Sequence, residues 1–230
     1  MSNKPVKKSD SKKAWLRPRR DKRILMRPEY HLIVSEGTKT EPYYFIGLKR
    51  EISIKEENRI DIRIEGDGSN TLSLLERAQA YVLKSNNPLK HVWLVYDFDD
   101  FPKDNFDNTL HKCMDLSKSE DSVKYHALWS NQCIELWFLL HFMYFQSDVH
   151  RTEYLPILNQ HLTDICNDKY EKNRVDMFSI LRPYLPTAIE NAKRLKNYHN
   201  ESAPSKNAPG TNVYEIFEYL SIYINKTNTQ

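Results

Sequence analysis

Short apolar runs without alternation predict two strands in the first half of the chain. They are Leu32 to Val34 and Val92 to Tyr96, and acidic residues follow each run closely. Strands of a parallel sheet are buried on both faces, so their sequences are near-continuous apolar runs. A third run, Val123 to Trp129, predicts a further strand. The strict alternation of Ile60 to Ile64 predicts a half-exposed strand near a sheet edge.

The segments between these runs have helical patterns. Thr38 followed by Glu41 has the spacing of a capping box, and Thr40 before Glu41 and a proline offers a second helix start. The segment from Cys133 to Phe142 is apolar nearly all round and too long for one strand, which predicts a buried helix. Alternating strands and helices predict an α/β fold with a mostly parallel sheet flanked by helices.

The chain after residue 146 lacks apolar runs of strand type. We predict helices at Arg174 to Leu181 and at Thr187 to Asn197, separated by prolines, and a last helix capped by Thr211 or Asn212. The predicted organisation is therefore a flexible basic arm at residues 1–27, an α/β core at 28–146, and a helical C-terminal portion at 147–230 packed on that core.

Composition restricts the class of protein. Of the 230 residues, 40% are hydrophobic and 28% are charged, which is typical of a globular protein. No uncharged apolar stretch reaches about 18 residues, so we expect no membrane span. The chain also begins without the apolar core of a secretory signal. Its three cysteines are scattered, which favours reduced thiols and a cytoplasmic location.

Positive charge is concentrated before the first strand, although the formal net charge is +3. A basic arm favours binding to a polyanion, because each phosphate contact releases counterions. A solvated leader explains the same charges equally well. The candidate nucleic-acid contacts are four arginines of the arm and one lysine at the first helix start: Arg17, Arg19, Arg20, Arg23 and Lys39.

Three carboxylates follow the predicted parallel strands. Glu36 comes after the first, and Asp97 and Asp99 come after the run that ends at Tyr96. Ligands of open α/β sheets bind beyond the carboxyl ends of the strands, and side chains two apart on a strand share a face. Mg²⁺ or Mn²⁺ between such carboxylates would relieve their repulsion. Asp also caps turns after strands, so a structural role stays open.

Glu135 lies in the first turns of the predicted buried helix. A charge there is costly unless it is paired, protonated or metal-bound, so Glu135 is a candidate catalytic residue. A capping or helix-dipole role is the alternative. His141 lies about 240° further round the same helix, which predicts a core histidine rather than a co-ligand.

Four motifs in order resemble the RloB-like family, over roughly residues 25 to 225. They are Leu32 to Phe45, Asp97 to Asp99, Ser130 to Phe142, and Thr211 to Tyr214. The family looks like a branch of the Toprim fold, a metal-binding α/β module. One departure is Gln132, which stands where the family motif usually has proline.

The resemblance implies a Toprim-like core in which Glu36, Asp97 and Asp99 act with Mg²⁺ on phosphodiesters. It also implies a role in antiphage defence or abortive infection, beside an ATPase partner encoded nearby. The leading hypothesis is a nuclease acting on RNA, such as tRNA, or on DNA. Glu36 would serve as acid/base or as an additional metal ligand.

The second hypothesis is a non-catalytic metal- or nucleic-acid-binding subunit that regulates, or is regulated by, the ATPase. The chain lacks a Walker loop, so ATP chemistry would come from another chain. Whether the protein forms an oligomer stays open.

Overall fold

The computed structural model describes residues 27–56, 59–68, 71–98, 103–120, 122–199 and 203–224. Within these ranges the chain forms one sheet in the order β2-β1-β3-β4-β5. The strands are β1 Glu29–Ser35, β2 Ile60–Gly66, β3 Leu89–Asp97, β4 Lys124–Asn131 and β5 Gly210–Thr211. The first four run parallel, and β5 pairs antiparallel with β4. The predicted α/β class with a mostly parallel sheet is confirmed.

Helices connect the strands and form most of the C-terminal portion. They are α1 Thr40–Glu56, α2 Thr71–Lys84, α3 Lys103–Leu116, α4 Ile134–Leu140, α5 Tyr154–Cys166, α6 Met177–Leu181, α7 Leu185–His199, α8 Tyr214–Tyr219 and α9 Ser221–Ile224. Every residue of α4 is buried, as its all-round apolar sequence predicts. The Asn131–Gln132 peptide before α4 is cis.

Two apolar clusters cover the two faces of the sheet. Ile33 and Trp93 face the larger cluster, which includes α1, α4 and the C-terminal helices. Leu32 and Leu94 face the smaller one, with α2 and α3. Successive strand residues point to opposite faces, so continuous apolar runs are what a sheet covered on both sides requires. The edge strand β2 alternates buried Ile60 and Ile62 with exposed residues, as predicted.

The structure corrects the C-terminal prediction at β5. The chain after residue 146 was expected to be helical, but Gly210–Thr211 pairs with the end of β4. Asn212 does not cap α8 with its side chain. Its Oδ1 accepts from the Trp129 N–H at 2.7 Å, and its Nδ2 donates to the Ala127 carbonyl at 2.7 Å. Asn212 thus extends the pairing along β4 with side-chain groups.

A second correction concerns the helices around the prolines. Arg174 lies in a turn before α6, where its guanidinium bonds Asp168 and Asp176. The 3₁₀ turn Arg182–Tyr184, which contains Pro183, lies between α6 and α7, so two helices are present as predicted, but α6 begins only at Met177 and α7 already at Leu185. Pro186 lies in the first turn of α7, where a missing N–H leaves no helical bond unmade.

Candidate functional site

The carboxyl edge of the sheet holds a cleft of about 320 Å³. Glu36 follows β1 and Asp97 ends β3, and these strands are hydrogen-bonded neighbours. The Asp97 N–H donates to Glu36 Oε2 at 3.4 Å. Both carboxylates line the cleft, as does Glu135 from the first turn of α4. The structure thus brings three of the sequence-predicted acids together.

Asp97 also contacts the helix that forms the far wall of the cleft. Its Oδ2 accepts a hydrogen bond from the Ile134 N–H at 3.2 Å. The first amides of a helix lack partners within the helix, and a carboxylate there also interacts favourably with the helix dipole. Asp97 therefore fixes the start of α4, so the structural role left open by the sequence is real. This structural role does not exclude a functional role, because Asp97 also lines the cleft.

Glu135 is buried and hydrogen-bonded. Only 6% of the residue is exposed, and the Tyr170 hydroxyl donates to its Oε1 at 2.8 Å. Burial raises the pKa of Tyr170, so the hydroxyl stays protonated and acts as a donor. Tyr170 belongs to the segment between α5 and α6, so the C-terminal portion orients an acid supplied by the α/β core.

Glu41 is a cleft residue that the sequence interpretation assigned to helix capping alone. It is 6% exposed and lines the cleft beside Glu36 and Glu135. Burial, followed by the neighbouring Glu135, raises the pKa of Glu41 to about 7. Its carboxylate lies against Gly37, where any Cβ would collide with it. The sequence feature that could have indicated this location is the short stretch of chain between Glu36 and Glu41, which lies in the first turn of α1.

Three cations also line the cleft: Lys39, Arg151 and Lys172. Thr40 Oγ1 donates to the Lys172 carbonyl at 2.7 Å, which holds the C-terminal segment against the start of α1. Gln132 Oε1 accepts from the Arg151 N–H at 2.6 Å. Lys39 is thus the one sequence-predicted nucleic-acid contact that the structure describes at this cleft. Outside the described residues lie Asp99, Arg17, Arg19, Arg20 and Arg23.

The donor chemistry of the cleft fits a hard divalent cation. Glu36 and Asp97 present carboxylate oxygens, and a main-chain amide orients each side chain. Mg²⁺ and Mn²⁺ prefer such oxygen ligands. Burial raises the pKa of the nearby Cys133, so its thiol stays protonated in the metal-free protein. These residues therefore suit Mg²⁺ or Mn²⁺.

The fold and cleft define an α/β protein with an acidic site at the carboxyl edge of a parallel sheet. A family model described as RloB-like protein matches residues 31–220, and the chain belongs to that family. No curated protein and no solved structure matches the chain. Within the described ranges, no helix combines the length and the apolar character that crossing a bilayer demands.

Proposed function

We propose that this RloB-like protein is a Mg²⁺- or Mn²⁺-dependent nuclease with a Toprim-like core. The observation that carries the proposal is the convergence of Glu36, Asp97 and Glu135 in one cleft. Acids and cations share that cleft, which suits a metal ion together with a phosphodiester. From its membership of the family, we further propose that the protein acts in antiphage defence or abortive infection, in the cytoplasm and together with an ATPase partner.

Three acids and three cations of the cleft have roles in this proposal. Glu36 and Asp97, with Asp99, hold the metal ion, and Glu36 alternatively accepts the proton of the attacking water. Glu135, oriented by Tyr170, is positioned to bind a proton close to the reacting atoms. The three cations Lys39, Arg151 and Lys172 contact phosphates of the substrate. The metal ion, when bound, supplies charge neutralisation at the phosphodiester.

The substrate in this proposal is RNA, such as tRNA, or DNA. Cleavage of tRNA would stop translation in an infected cell, which suits abortive infection. The arm arginines and Lys39 would then bind the backbone without reading sequence, because phosphate contacts position a nucleic acid and base contacts specify it.

The test is a cleavage assay with the purified chain on total tRNA, single-stranded DNA and duplex DNA, with and without Mg²⁺. We expect metal-dependent cleavage by the parent and none by Glu36→Gln or Asp97→Asn. Asp164→Asn is the matched control, because this exposed carboxylate on α5 lies outside the cleft. Cleavage by both cleft variants at the parental rate would refute the assignment.

The non-catalytic alternative draws on one observation, the bond between Asp97 and the start of α4. A carboxylate that stabilises the fold needs no catalytic role. The same assay, repeated with the neighbouring ATPase alone and with both proteins, separates the two. Cleavage that requires the ATPase and survives Asp97→Asn would assign the activity to the partner.

A further inference from the structure

A second cluster of potential ligands lies at the opposite edge of the sheet. Glu29 and His31 stand two residues apart on β1, so they share a face, and His31 pairs with His91 on β3. One carboxylate oxygen and two ring nitrogens of these residues lie within 4.8 Å of one another. Both histidines are buried, whereas the Glu29 side chain is 19% exposed. The cluster of these three residues is therefore accessible from solvent at Glu29.

We propose that Glu29, His31 and His91 form a binding site for a divalent transition-metal ion, with zinc the best match to the donors. Two imidazoles and one carboxylate, with a fourth position left open, are a ligand set that zinc takes in proteins. This inference is independent of the proposed nuclease, because it uses the amino ends of the strands rather than the cleft.

Two of the three separations between the donor atoms are close to those of tetrahedral coordination, and the two imidazole nitrogens lie within 4.8 Å of each other. Zinc-to-ligand bonds of about 2.0–2.1 Å place neighbouring ligand atoms about 3.4 Å apart. Glu29 Oε1 lies 2.9 Å from His31 Nε2 and 3.5 Å from His91 Nε2, on either side of that value. The Tyr219 hydroxyl is hydrogen-bonded to two of the three donors, at 2.9 Å from Glu29 Oε1 and 2.6 Å from His91 Nε2.

Surrounding residues orient two of the ligands. His91 Nδ1 lies 2.9 Å from His126 Nε2, an acceptor when His126 carries its proton on Nδ1. With its own proton on Nδ1, His91 directs the Nε2 lone pair towards Glu29. Lys90 Nζ donates to Glu29 Oε2 at 2.7 Å, while Oε1 faces the imidazole nitrogens. Such outer contacts are typical of metal ligands and fix their orientation.

Trp93 sets a limit on the affinity of this site. Its Nε1–H donates to His31 Nδ1 at 3.1 Å, which leaves the His31 proton on Nε2, bonded to Glu29. A metal ion at Nε2 moves that proton to Nδ1, where it faces the indole N–H, and Trp can only donate. The His31 ring stays neutral, because its proton moves from Nε2 to Nδ1 and is not released. Trp93 therefore favours the metal-free form, and removing its N–H should strengthen metal binding.

Calorimetric titration of metal-free protein with ZnCl₂, in excess Mg²⁺ to occupy the cleft, tests the proposal. We expect one zinc ion per chain and a rise in melting temperature. His91→Ala and Glu29→Gln should each weaken zinc binding by at least about tenfold. Asp97→Asn and His111→Ala, the second an exposed histidine on α3, should bind zinc like the parent. No zinc binding by the parent, or unchanged affinity in both ligand variants, would overturn the site.

Trp93→Phe is the sharper variant, because it removes the N–H and keeps an aromatic ring. We expect tighter zinc binding, by roughly tenfold, when circular dichroism shows a native fold. Equal or weaker binding by the folded variant would refute the competition between Trp93 and the metal ion. If Trp93→Phe does not fold, His91→Ala and Glu29→Gln decide the proposal.

Discussion

The Asp97 carboxylate accepts a hydrogen bond from the Ile134 N–H at 3.2 Å, which joins the end of β3 to the start of α4. The same side chain lines the cleft beside Glu36. One carboxylate thus both stabilises the helix and contributes charge to the candidate metal site. The two contributions can be separated, because Asn keeps an oxygen acceptor and loses the charge.

We expect Asp97→Asn to leave the free energy of unfolding within about 0.5 kcal/mol of the parent while abolishing metal-dependent cleavage. Asp97→Ala should lose cleavage as well and cost about 1 kcal/mol, since the Ile134 amide then lacks its acceptor. Urea denaturation of both variants gives the comparison. Equal stability of Asp97→Ala and the parent would show that the bond contributes nothing to folding.

Glu41 predicts a pH dependence of stability in the absence of divalent ions. Its pKa is raised from 4.5 to about 7, first by burial and then by Glu135, while Lys172 acts in the opposite direction. The folded protein therefore keeps a proton that the unfolded chain releases. The stability from this proton is fully present below pH 4.5 and is lost as pH rises towards 7.

Glu41→Gln should remove this dependence. Relative to the variant, the parent should lose about 2 to 3 kcal/mol between pH 4.5 and pH 7. Urea midpoints of the parent, Glu41→Gln and the exposed control Glu171→Gln, measured at pH 5 and pH 8, provide the test. Parallel profiles for the parent and Glu41→Gln would mean that Glu41 is ionised in the folded protein.

The two side-chain hydrogen bonds of Asn212 predict a large contribution to stability. Asn212→Ala leaves two buried main-chain groups of β4, the Trp129 N–H and the Ala127 carbonyl, without their side-chain partners. We expect a loss of about 2 to 4 kcal/mol. Thermal and urea unfolding measure it, with the exposed Asn108→Ala on α3 as a control that should stay within about 0.5 kcal/mol. A loss no larger than that of the control would contradict this account of Asn212.

The parallel strands could be predicted because burial on both faces requires the apolar runs that the sequence shows. The convergence of Glu36 and Asp97 followed from the same reasoning, since the carboxyl ends of parallel strands meet at one edge. Glu41 was assigned to capping because the spacing to Thr38 is the same whether the carboxylate is exposed or buried. Glu41 is buried beside α4 and Tyr170, which are distant along the chain, so no local sequence pattern could indicate its burial.

Contacts between distant parts of the chain account for what the sequence did not predict. β5 has two residues, too few for any periodicity, and Asn212 meets Trp129 across 83 positions. The pairing of His31 with His91 depends on the register between β1 and β3. Register follows from how helices pack on the sheet, so neither contact could be inferred from spacing along the chain.

The pairing of Asn212 with β4 has a consequence for how this protein meets other chains. An open strand edge invites a neighbouring molecule to add a strand and begin aggregation. Here β5 is too short to serve as a template, and its side of β4 is already hydrogen-bonded by Asn212. At the other end of the sheet, β2 presents exposed Asp61 and Arg63, charges that discourage strand addition. Within the described part of the chain, neither edge of the sheet therefore suits intermolecular β-pairing.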